Sequence, residues 1–156
     1  LCPFIRQHTG QQDRLMVGGC SMGAYHSANF FFRHPDVFDT LIALSGIYDA
    51  RIHVGEALHE PEVYFNSPVD YLKHLDDPHY LDAYRNSTII VACGQGAFEG
   101  EAIADTRHLE WILHDKDIPA WIDFWGDDVH HDWVWWRKMM PYYVGKLEEF
   151  GVIGSR

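Results

Sequence analysis

The sequence predicts an α/β domain, a mostly parallel sheet flanked by helices, and three observations carry that prediction. Short apolar runs alternate with segments of helical periodicity along the whole chain. The run from Thr40 to Leu44 is too continuously apolar for a half-solvated strand, as expected of one buried on both faces of a parallel sheet. The stretch Leu15-Met16-Val17-Gly18-Gly19-Cys20-Ser21-Met22-Gly23-Ala24 passes from an apolar strand through G-x-S-x-G into a helical pattern with small residues. A chain of 156 residues suits one domain, and a composition 47% apolar and 15% aromatic excludes a disordered one.

The elements follow in order. Cys2 to Gln7 reads as the end of a helix with Gly10 in its C-cap region, and Arg14 to Gly18 as the first strand. From Ala24 to Arg33, Ala24, Ser27, Ala28 and Phe31 recur at helical spacing, and Pro35 supplies the stop. Thr40 to Leu44 is the second strand, ending at Ser45-Gly46. Residues 47–86 hold no sustained period and are rich in Asp, His, Pro and Tyr, so they are expected to be an irregular insertion of short helices and loops. Thr88 to Cys93 is the third strand. Ala102 to His114 follows as a helix with Ile103, Thr106, Leu109, Ile112 and Leu113 on one side. Ala120 to Trp125 is the fourth strand, and the last helix runs roughly from Trp135 to Phe150, with Pro141 expected to bend or split it. No linker, repeat or low-complexity segment interrupts 1–156, which predicts a single domain.

Charge and cysteines narrow the partners. A net charge of −11, from 12 basic and 23 acidic residues without a basic cluster, disfavours nucleic acid. Cys2, Cys20 and Cys93 are odd in number and lack metal or redox spacing, which favours reduced, packed thiols and a cytoplasmic setting. No apolar run reaches the length of a membrane span, and residues 1–10 lack the charged and apolar halves of a signal peptide.

The G-x-S-x-G segment predicts a nucleophile elbow. A sharp strand-to-helix turn would hold Ser21 in a strained conformation, with Gly19 and Gly23 letting the strand and helix pass closely. The following helix would aim its first N–H groups and positive dipole end at an oxyanion formed there, which is machinery for acyl transfer. A serine nucleophile also needs an imidazole base oriented by a carboxylate, and after an elbow the order along the chain is serine, acid, histidine. The loop Trp125-Gly126-Asp127-Asp128-Val129-His130-His131-Asp132-Trp133 after the last strand offers the base. His130 and His131 are neighbours and cannot both face Ser21, and the loop alone does not choose between them. The Gly-rich turn Gly94 to Glu101 offers the acid. Glu99 is the first choice, with Glu101, Asp105 and, after the second strand, Asp49 as alternatives.

Other chemistries fit less well. His130, His131, Asp127, Asp128 and Asp132 are dense in ligand types but lack helical metal-site spacing, so no metal is expected. Cys20 precedes the serine of an elbow and should point into packing rather than act as nucleophile. Trp133, Trp135 and Trp136 read first as core at a helix start, with Trp133 the best candidate to line a substrate pocket.

Together, Gly19-Cys20-Ser21-Met22-Gly23-Ala24-Tyr25-His26, Arg33-His34-Pro35-Asp36-Val37-Phe38, Asn66-Ser67-Pro68, Cys93-Gly94-Gln95-Gly96 and His131-Asp132-Trp133 resemble the esterase family that groups esterase D-like enzymes, feruloyl esterase modules and mycobacterial mycolyltransferases. The resemblance covers nearly the whole chain and implies the α/β-hydrolase fold, Ser21 as nucleophile, His131 rather than His130 as base, and a carboxylate near Glu99. It implies a serine carboxylesterase acting on a small-molecule ester without a cofactor. An acyltransferase, or a non-catalytic hydrolase-fold binding module, is the alternative. In that family the elbow falls mid-domain, so the chain resembles a C-terminal half: Met22 N–H would be its one oxyanion donor, and the first strand would be an open edge awaiting a missing N-terminal half or a second copy.

Overall fold

The computed structural model describes residues 1–10, 12–54 and 60–154. Helix α1 spans Cys2–Thr9 and ends on Gly10, whose φ of 71° suits a left-handed C-cap. Then come β1 (Leu15–Cys20), α2 (Met22–Arg33) and β2 (Phe38–Leu44). The described residues of 47–86 include the short helices α3 (Arg51–Val54), α4 (Pro61–Tyr64), α5 (Pro68–Tyr71) and α6 (Pro78–Arg85), with a 3₁₀ turn over Leu72–His74. Positions 55–59 of that insertion, like 155–156 of the single domain expected over 1–156, lie outside the described residues. Strand β3 (Thr88–Cys93), helix α7 (Gly100–Asp115), strand β4 (Trp121–Phe124) and helix α8 (Trp133–Glu149) complete the order.

The four strands are parallel and lie in the order β1-β2-β3-β4. Successive side chains of a strand point to opposite faces, and both faces here are covered. Leu41, Ala43, Ile89 and Val91 pack under α2 and α7 with Phe31, Phe32, Leu109 and Ile112, while Ile42, Leu44, Ile90 and Ala92 pack under α8 with Trp136, Met139, Tyr143 and Leu147. That explains why β2 and β3 read as continuous apolar runs. Small residues Ala24, Ser27 and Ala28 are among the buried positions of α2, beside Phe31 and Phe32.

The structure bears on two details expected of the last helix. Helix α8 is not split at Pro141: it runs as one helix past an exposed proline, whose missing N–H leaves the Arg137 carbonyl without its usual helical partner. It also starts at Trp133, two residues earlier than the periodicity suggests, because Asp132 caps it by accepting from Val134 N–H. Among the described residues no helix is long and apolar enough to cross a membrane.

The register brings the carboxyl ends of all four strands level. Cys20 pairs with Leu44, Leu44 with Ala92, and Cys93 with Phe124. Ser21, Ser45, the Gly94–Glu99 turn and the Trp125–His131 loop therefore emerge along one edge of the sheet, where α/β folds build their sites.

Candidate active site

Ser21 sits between β1 and α2 with φ 54° and ψ −121°, a left-handed conformation that a side chain rarely adopts. The turn is tight because a Cβ on Gly19 would lie 2.4 Å from the carbonyl oxygen of Gly23. Gly19→Ala is accordingly expected to destabilise the fold by about 3 kcal/mol, since backbone must move to admit the methyl. Gly23 differs from expectation: a Cβ there meets nothing within 4 Å. Gly23→Ala should leave the melting temperature equal or higher, because alanine favours a helix, and thermal unfolding of the two variants side by side checks the contrast.

His131 and Glu99 are brought to Ser21 by two loops laced together. Gly96 N–H donates to Val129 O at 2.8 Å, His131 N–H to Ala97 O at 3.0 Å, and Ala97 N–H to Nδ1 of His130 at 2.8 Å. The loops approach so closely that a Cβ on Gly94 would sit 2.0 Å from Val129 O. His130 thus ties the acid loop in place and does not reach Ser21. His131 does: its Nε2 lies 2.8 Å from Ser21 Oγ and its Nδ1 3.2 Å from Oε2 of Glu99. Glu99 is fully buried and His131 only 22% exposed, so this relay lies largely out of water. The geometry assigns the imidazole proton to Nδ1, facing the carboxylate, and leaves Nε2 to accept from the serine hydroxyl.

The other acids are occupied elsewhere. Glu101 is exposed in the first turn of α7. Asp49 is bound to Arg51, whose side chain donates to it at 2.5 Å. Asp105 is buried and accepts the N–H groups of Tyr48 at 2.6 Å and Asp49 at 2.8 Å, so it pins the start of the insertion. Burial pushes the Asp105 carboxyl above its ordinary value despite those two donors. The folded state then holds this proton more tightly than the unfolded chain does. Stability from this group is greatest below the ordinary carboxylate value near 3.8 and falls as pH rises through the raised folded value. The difference in melting temperature between wild type and Asp105→Asn should therefore move against wild type from pH 4 upward, and differential scanning across that range reads it.

Cys20 is partly buried and burial raises its thiol, while the Cys93 thiol is pushed up to about 12, chiefly by burial. Trp133 is 60% exposed and stands edge-on to Trp136 at the rim of the site. A cavity of about 80 Å³ beside Ser21 is lined by Ser21, Met22, Tyr25 and Ile47, so Trp133 does not line it. Two larger hollows among the described residues touch none of Ser21, His131 and Glu99. One of about 910 Å³ lies by Arg14, Asp39 and Ile153, and one of about 460 Å³ lies among Arg33, Tyr64, Tyr71 and Tyr80. Among the described residues no three His, Cys, Asp or Glu side chains converge on a metal position.

One contributor, Ser45, was not singled out from the sequence, and a second, Trp136, was read there first as core. Ser45, at the tip of β2, donates to Oε1 of Glu99 at 2.7 Å, and the buried Trp136 donates its indole N–H to Ser45 Oγ at 3.1 Å while standing edge-on to the His131 ring. The only sequence signal was position: Ser45 follows an apolar strand, and Trp136 falls three residues before Met139 on the buried stripe of α8.

Comparison with solved structures places this arrangement in a known fold. A ferulic acid esterase superposes with a TM-score of 0.70 at 19% identity, covering 90% of this chain and 54% of its own. An S-formylglutathione hydrolase from Agrobacterium tumefaciens gives 0.73 at 15% identity, covering 94% and 53%. A fluorophosphonate-binding serine hydrolase from Staphylococcus aureus gives 0.62 at 18% identity, covering 93% and 59%. The chain thus spans between half and three-fifths of the length of these three structures. No curated protein matches it. The family described as "Putative esterase" matches over residues 1–147, which takes in the elbow, the Glu99 turn and the His131 loop, and the chain belongs to that esterase family of α/β-hydrolase fold.

Proposed function

We propose that this chain carries the nucleophile, base and orienting acid of a carboxylic ester hydrolase. The observation that carries the reading is the hydrogen-bonded line from the Ser21 hydroxyl, on its positive-φ turn, through His131 to the buried Glu99. Ser21 Oγ attacks the ester carbonyl carbon while its proton passes to His131 Nε2, and the resulting imidazolium faces Glu99. The negative oxygen of the tetrahedral adduct faces the N–H of Met22, at the positive end of α2. Collapse of the adduct expels the alkoxide, which takes the proton from His131, and leaves an acyl-serine. Water then attacks that acyl group with His131 again as base, releasing a carboxylic acid and restoring Ser21. Small-molecule esters are the proposed substrates, in keeping with a matching ferulic acid esterase and a matching S-formylglutathione hydrolase.

Intact mass after fluorophosphonate treatment, beside hydrolysis of p-nitrophenyl acetate and butyrate, tests the reading. One adduct per chain, absent in Ser21→Ala, together with turnover is expected. A folded wild-type chain that takes no adduct and turns over no ester would overturn it and leave a hydrolase-fold binding module.

β1 lies at an edge of the sheet with Met16 exposed. We infer that this edge is paired in the working enzyme, by further chain or by a second copy. Sedimentation velocity of the chain alone should show association that grows with concentration; a monomer at every concentration with full turnover would count against it.

A further inference from the structure

We propose that Ser45 is a positioning residue for this hydrolysis, holding the Glu99 carboxylate in the orientation that fixes the tautomer of His131, with Trp136 setting the direction of its hydrogen bond. The proposal rests on the reading of Ser21, His131 and Glu99 given above.

Ser45 stands at φ 52°, in the left-handed region where glycine is the ordinary occupant, and it is fully buried. Were it only a turn residue, glycine would serve the backbone better. What serine adds is a hydroxyl, and both sides of that hydroxyl are used. The Trp136 indole is a donor only, so at 3.1 Å the Ser45 oxygen must accept from it. The single Ser45 proton is then left for Glu99 Oε1 at 2.7 Å. The backbone of Ser45 is held as well, its N–H donating to Ala92 O at 2.7 Å. Glu99 therefore receives a proton donor on each oxygen: Ser45 on Oε1, His131 Nδ1 on Oε2. With Oε1 tied, the carboxylate cannot rotate away from the imidazole, and Nδ1–H stays directed at Oε2. That leaves the Nε2 lone pair on Ser21. The polarity of the whole line starts from an indole that cannot accept.

Ser45→Gly tests this role with the backbone kept, because glycine fits the positive φ and the change removes only the CH₂OH group. The expected result is a saturating rate constant for fluorophosphonate labelling lower by about 10- to 100-fold, the loss of one hydrogen bond to a charged group. The reagent concentration at half-saturation should stay close to wild type, while the melting temperature falls modestly, because the buried Trp136 N–H and Glu99 Oε1 each lose a partner. Trp136→Phe keeps the ring against His131 and removes the N–H, and should slow labelling by about 2- to 10-fold, since the Ser45 proton then loses its fixed direction. A second readout needs no activity: the His131 Nδ1 proton, seen by NMR as a strongly downfield resonance in wild type, should broaden or vanish in Ser45→Gly. A labelling rate within twofold of wild type, or an unchanged downfield resonance whatever the rate, overturns the proposal, as does a wild-type spectrum with no such resonance. If the wild-type chain takes no label at all, it is the reading of Ser21 as an activated nucleophile that fails, and the resonance alone then decides the role of Ser45.

Discussion

His131→Ala should reduce ester turnover by about 10⁶-fold, to the level left by Ser21→Ala, because a serine without its base is an unactivated alcohol. The two groups act as a unit. Ser21→Ala/His131→Ala combined should therefore be no worse than either alone, a non-additivity expected when both changes remove the same step. His130→Ala is the control that gives the result its meaning. His130 accepts the Ala97 N–H at 2.8 Å, which engages its ring with the Gly94–Glu99 turn. Its loss should cost about 1 kcal/mol of stability through one hydrogen bond and leave most of the turnover. Measured kcat/KM and melting temperature for the three variants distinguish the neighbours. If His130→Ala abolishes turnover while His131→Ala is mild, the assignment of the base is wrong.

That pair of histidines shows where the sequence was legible and where it was not. The elements were readable because apolar periodicity and buried strands leave strong local signals: β3 has the predicted bounds, and β2 and α2 differ by two residues at one end. The elbow was readable because its steric demand is local, falling on Gly19 within four residues of its clash partner. The site beyond the serine depends on loop conformation, which local patterns do not encode. Glu99 faces His131 because the chain turns at Phe98, a fully exposed phenylalanine at φ 64° where a sequence reader expects glycine. Nothing in the order Glu99, Glu101, Asp105 announces that turn. The tryptophans depended on phase. A helix beginning at Trp133 places Trp136, Met139, Tyr143 and Leu147 on its buried side and leaves Trp133 at the rim.

Glu99→Gln should lower kcat on the order of 10⁴-fold with little change in stability, the loss expected when a triad keeps its shape but takes the wrong tautomer. The direction of the Ser45 hydrogen bond makes the argument specific. Because Trp136 can only donate to Ser45, the Ser45 hydroxyl must go on donating toward position 99. The introduced amide would therefore turn its oxygen to Ser45 and its NH₂ to Nδ1 of His131. An NH₂ facing Nδ1 requires Nδ1 to accept, which moves the imidazole proton to Nε2, the nitrogen 2.8 Å from Ser21 Oγ. The base would then present a proton where it must present a lone pair. In Ser45→Gly/Glu99→Gln the amide is free to flip, its oxygen can return to Nδ1–H, and part of the lost rate should come back. Single-turnover kinetics with p-nitrophenyl acetate and the ¹⁵N shifts of His131 in both variants measure this together. Turnover in Glu99→Gln within tenfold of wild type would mean that the buried carboxylate does not orient the base, and a double variant slower than Glu99→Gln would mean that Ser45 does not set the amide's direction.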